Sequence, residues 1–147
     1  MENKTERRLT TKGIAFFGAL TVFLLLLHAA DEIARGESAR QYSGVSPGGA
    51  TTFFILLMVL YVFGIGWTWK ERKLGYVIVL VLSPFAFLRF LFHAYSLFGG
   101  VSLEAIAVAY TSEAVGAFFV FSYLALGLTS LMTLIFSIYA LAVRKQE

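Results

Sequence analysis

The chain is 147 residues long, 59% apolar and only 14% charged, with a mean hydropathy of +0.78 and a formal charge of +3. That length holds one domain, and so little charge cannot cover a water-soluble surface, so the excess apolar area is expected to face lipid. The absence of cysteine excludes disulfides, thiolate metal sites, iron–sulfur clusters and cysteine nucleophiles, and the basic residues gather at the ends of apolar runs, as topology signals do, rather than in a nucleic-acid footprint.

Four uncharged apolar stretches stand out, at residues 13–27, 51–69, 74–88 and 114–143. A hydrocarbon core of ~30 Å needs about 20 helical residues at ~1.5 Å each. The first stretch reaches that length only by running through His28 toward Arg35. Its basic start (Lys4, Arg7, Arg8, Lys12) resembles that of a signal peptide. The residues after Leu27 read His28-Ala29-Ala30-Asp31-Glu32, without a small-x-small cleavage site, so an uncleaved first helix is expected. Residues 41–50 contain Ser-Gly and Pro-Gly-Gly and read as an irregular outer loop. Thr51 or Thr52 is placed to cap the second helix, and Trp67 and Trp69 beside Lys70 form an interfacial anchor at its far end.

Residues 70–73 make a tight turn, so helices two and three form an antiparallel hairpin. The third helix spans the membrane only by continuing through Arg89 and His93 toward Phe98, with a bend at Pro84, and Gly99-Gly100 ends it. Residues 101–110 are too short to cross and read as an outer interfacial segment, with Ser112 capping the fourth helix and Glu113 complementing its dipole. Ala125, Thr129, Thr133 and Ser137 form a small-residue packing stripe on that helix, with Ala15 and Ala19 doing the same on helix one and Gly64 and Gly66 permitting close helix approach.

The fold class expected is an all-α integral membrane four-helix bundle, with helices at about 13–35, 51–69, 74–98 and 113–143 and a short outer interfacial helix between the last two. Nine basic residues (Lys4, Arg7, Arg8, Lys12, Lys70, Arg72, Lys73, Arg144, Lys145) fall on one side of that plan, against Arg35 and Arg40 on the other. The richer side, with both termini, is therefore expected in the cytoplasm and the protein in the cell membrane.

Ionisable residues at membrane depth cost roughly 2.5–3.5 kcal/mol each at a helix centre and so require a reason. His28, Asp31, Glu32 and Arg35 share one face of helix one, and Arg89 and His93 share one face of helix three. Counted from Lys12 and Lys73, His28 and Arg89 each lie sixteen residues along, and Glu32 and His93 each lie twenty along. The two sets are thus expected at common depths of ~24 Å and ~30 Å.

An ion pair between Arg89 and Asp31 or Glu32 would account for the cluster structurally. Functionally, it suits an anionic solute or lipid headgroup on Arg89, with His28 or Glu32 moving a proton. Alternatively, a divalent metal could take His28, Glu32 and His93, or haem b could take the two histidines. The first reading needs no cofactor. A non-enzymatic membrane protein that binds a ligand, ion or partner is the leading expectation, and a metal or haem enzyme the alternative. The expected partners are the lipid bilayer and another membrane protein or a second copy, and not nucleic acid. Reporter fusions test the orientation: a fusion at Glu147 should report cytoplasm and one within residues 41–50 the exterior, and an external C-terminus would reverse the plan.

Overall fold

The computed structural model of the protein describes residues 4–34, 47–98 and 113–144, with side chains placed at 5–31, 52–91 and 114–143. Of the expected loop at 41–50, residues 41–46 lie outside these residues, as do the interfacial segment at 101–110 and Arg35, whereas Pro47, Gly48, Gly49 and Ala50 are helical rather than irregular. Four helices account for all of the described chain except the turn at 70–72: α1 (Lys4–Ala34), α2 (Pro47–Trp69), α3 (Lys73–Phe98) and α4 (Glu113–Arg144). Each is long and apolar enough to cross a membrane. α1 starts at Lys4 rather than at residue 13, because the polar stretch before the apolar run consists of residues that a helix tolerates well. α2 starts at Pro47, whose missing N–H and fixed φ suit a first helical turn, so Thr51 and Thr52 lie inside the helix and do not cap it. α3 carries Pro84 in its interior and ends just ahead of Gly99.

Consecutive helices pack as neighbours, α4 closes back onto α1, and α1 and α3 face each other across the diagonal with little direct contact. One end of the bundle gathers the start of α1, the α2–α3 turn and the end of α4. There Thr11 hydrogen-bonds Tyr76 at 2.7 Å, Arg7 pairs with Glu71 at 2.9 Å, and Ile14, Tyr76 and Ala140 share one apolar cluster. A second cluster, with Leu24, Leu25, Ala86, Tyr123 and Leu126 at its centre, fills the opposite half.

The interior is more polar than the perimeter. Phe16, Phe23, Phe53, Phe63, Phe85 and Phe121 point outward, while Thr21, Ser83, Thr129, Ser130, Thr133 and Ser137 are buried. This inverts the arrangement of a water-soluble bundle, and it suits surroundings as apolar as the helices themselves. The buried hydroxyls donate within their own helices: Thr21 to Phe17, Ser83 to Val79, Thr129 to Leu126, Ser130 to Gly127, Thr133 to Thr129 and Ser137 to Thr133. At mid-height Tyr61 of α2 meets Ser83 of α3 at 2.9 Å. The stripe on α4 is therefore a packing face with Thr129, Thr133 and Ser137 buried, and on α1 Ala15 is buried whereas Ala19 is exposed.

The α2–α3 turn is a Schellman motif. The Arg72 N–H donates to the Trp67 carbonyl at 2.9 Å and the Glu71 N–H to the Thr68 carbonyl at 2.8 Å. Glu71 takes the left-handed position at φ 56°, where glycine is the usual occupant. The hairpin closes tightly above it: a Cβ at Gly75 would strike the backbone of Thr68 and come within 2.6 Å of the Trp67 carbonyl carbon, and one at Gly64 would come within 2.6 Å of Ile78 Cγ2. Gly66 has open space around it. Backbone cannot move aside as a side chain can, so Gly75→Ala should destabilise the protein by ~1–3 kcal/mol. Gly66→Ala should be neutral or slightly stabilising. Thermal unfolding in detergent checks the pair, and equal effects would contradict the hairpin geometry.

Candidate functional site

The second apolar cluster forms a floor to which all four helices contribute, with Leu25 from α1, Phe54 and Met58 from α2, Ala86 from α3, and Tyr123 and Leu126 from α4. His28 and Arg89 each stand three residues further along their helices than Leu25 and Ala86, which is one turn above that floor.

His28 is fully buried, at 0% exposure. Its ring stacks on Tyr123 with centroids 3.6 Å apart and planes inclined by 22°, and Phe119 closes a third side at 5.8 Å. Its Nε2 lies 3.1 Å from Ser122 Oγ. Ser122 has one hydroxyl proton and donates it to the Phe119 carbonyl at 2.8 Å. With its proton on that carbonyl, the Ser122 oxygen is placed to accept from an imidazole Nε2–H. The imidazole is thus held on three sides by α4.

Arg89 is half-buried and turned to α2, with its guanidinium carbon 5.8 Å from the centre of the Phe54 ring. The reason lies next to it in sequence. Phe90 packs onto Gly127 of α4, where a Cβ would meet the ring at 2.6 Å. A helix turns by ~100° per residue, so a Phe90 directed at α4 leaves Arg89 directed elsewhere.

Asp31 is partly buried one turn beyond His28. Glu32 and His93 lie on the helices, at the far ends of α1 and α3, but their side chains are outside those described, as is the whole of Arg35. Among the described residues no three His, Asp or Glu side chains gather as a metal-holding group. The described part of the site is therefore an aromatic slot around one imidazole from α1, beside a guanidinium from α3 that lies over an aromatic ring of α2. Such an arrangement can hold an anionic group on Arg89 and exchange a hydrogen bond or a proton through His28.

Sequence reasoning did not find Ser122, Tyr123, Phe119 or Phe54. Ser122 was within reach, because the buried hydroxyl stripe of Thr129 and Thr133 continues to it at i−7 and i−11. The aromatic residues carry no signal of their own in a chain with 15 Phe and 7 Tyr. Comparison with known proteins returns no matching family, curated protein or solved structure.

The slot allows the hydrogen bond and the stacking to be separated. His28→Phe keeps a ring on Tyr123 and loses the bond to Ser122, so it should cost about 1 kcal/mol. His28→Ala also empties the slot and should cost ~3–4 kcal/mol. Unfolding in graded denaturing detergent measures both, and an alanine variant as stable as the phenylalanine variant would mean that the stacking contributes nothing.

Proposed function

We propose that the protein is a small multi-pass protein of the cell membrane, with both termini cytoplasmic, that binds a polar ligand bearing an anionic group at the outer end of its bundle. Arg89 supplies the countercharge, His28 the hydrogen bond or mobile proton, and Asp31, Glu32, Arg35 and His93 the polar surroundings. The observation that carries this reading is His28 itself. A fully buried imidazole, stacked on Tyr123 and hydrogen-bonded by Ser122, is oriented by α4 at the level of a half-buried arginine. Placing two such groups at membrane depth is costly, and ionisable residues there mark ligand paths and proton relays. The same surface serves equally to receive the anionic group of a neighbouring membrane protein, which would make the chain a subunit of a larger complex.

Anion titration tests the reading. Inorganic phosphate or acetate, added to protein purified in a zwitterionic detergent, should raise the unfolding midpoint of the native chain, with ~2.7 kcal/mol gained at one hundred times the dissociation constant. Arg89→Gln should abolish that gain, and His28→Phe should weaken it. If neither anion stabilises the native chain, the anion site is lost. A Soret band or stoichiometric metal in the purified protein would replace this reading with a haem or metal protein that uses His28, Glu32 and His93.

A further inference from the structure

The foot of α1 carries a second polar feature, at the opposite end of the bundle from His28. A groove there is lined by Thr5, Arg7, Arg8, Leu9, Lys12 and Glu71. We propose that it seats the headgroup of an anionic phospholipid of the cytoplasmic leaflet, an inference that rests on the membrane reading above.

The direction of the side chains carries the argument. The exposed face of α1 runs through Phe23 (61% exposed), Phe16 (65%) and Leu9 (71%), a stripe that suits acyl chains. Lys12 lies on the same stripe between Phe16 and Leu9, and Arg8 is its i−4 neighbour and equally exposed. These two cations thus continue the lipid-facing stripe where it leaves the hydrocarbon, instead of facing bulk water beyond the helix end. α1 is long enough to reach that level, since its 31 residues span ~46 Å against a ~30 Å core. Long basic side chains in that position keep their stems on acyl chains and their charges among phosphates.

Arg7 has a different task. It is held by Glu71 at 2.9 Å, across from the turn. Glu71 sits in a left-handed backbone position that costs a non-glycine residue ~1–2 kcal/mol. The carboxylate fixes the wall of the groove and leaves Arg8 and Lys12 as the cations that meet the phosphate.

Trp67 and Trp69, the only tryptophans in the chain, stand beside this turn and report on the lipid around it. The full-length protein is reconstituted in vesicles of phosphatidylcholine and phosphatidylglycerol, with one or the other brominated on its acyl chains, and tryptophan quenching gives the relative affinity for the two headgroups. The native protein should prefer the anionic lipid, on the order of fivefold for each engaged cation. Arg8→Gln with Lys12→Gln should bring the ratio close to one, while Arg72→Gln, on the exposed turn but outside the groove, should leave it unchanged. If the neutral pair does not fold, Lys12→Gln alone is read in its place and should remove about half of the preference on a logarithmic scale.

No preference in the native protein, or an equal loss with Arg72→Gln, would overturn the site in favour of diffuse attraction. Abolition by inorganic phosphate, but not by sodium chloride of equal ionic strength, would overturn the lipid as occupant. Quenching by neither lipid would instead defeat the membrane reading, which keeps the two failures distinct.

Discussion

A helix in apolar surroundings has no water with which to satisfy its polar groups, so each must find a partner within the protein. This constraint explains why eleven buried polar side chains among the described residues, all but Thr68 hydrogen-bonded, are compatible with an apolar perimeter. Serine and threonine meet it locally by donating to a carbonyl one turn back, as along α4 from Ser122 to Ser137. Having done so, they present a small surface against which a neighbouring helix packs closely. Polarity inside and bulk outside are therefore two aspects of one solution. Where the polar group is too large to bond to its own helix, as for Tyr61 and His28, the partner comes from another helix and fixes how the two are matched in height.

The same constraint orders the end of the bundle that holds His28 and Arg89. Consecutive helices pack as antiparallel neighbours, so two helices running in the same direction fall on a diagonal. α1 and α3 do so, and the polar side chains described on them reach the helices between them. Each turns to a flanking helix, His28 to α4 and Arg89 to α2, and the site becomes a property of all four. An aromatic slot on one side and an aromatic face on the other then set the orientation of two groups that no adjacent pair of helices could position alone.

How much of this was legible in the sequence depended on the range of the signal. Helix count, the hairpin at residues 70–73 and the end of α3 at Phe98 follow from hydropathy and punctuation, which are local. The start of α1 did not, because the basic stretch before residue 13 is too polar for hydropathy to register although it is helical. The heights of His28 and Arg89 could be counted along the chain from their basic anchors. Their directions could not, because direction depends on the cyclic order of helices and on Phe90 occupying the space above Gly127. Glu71 was opaque for a similar reason: nothing in a Lys-Glu-Arg-Lys turn announces that its second residue takes the backbone geometry of a glycine.

Tyr61 carries a consequence of its own. Ser83 donates its hydroxyl proton to the Val79 carbonyl at 2.7 Å, so it meets the phenol, 2.9 Å away, as an acceptor. That bond joins α2 to α3 well away from the turn that connects them. Sliding one helix along the other by a single residue, ~1.5 Å, would break it. The hairpin is therefore tied at two heights, by its turn and by its middle, and its two helices are held in one register instead of being hinged at residues 70–73.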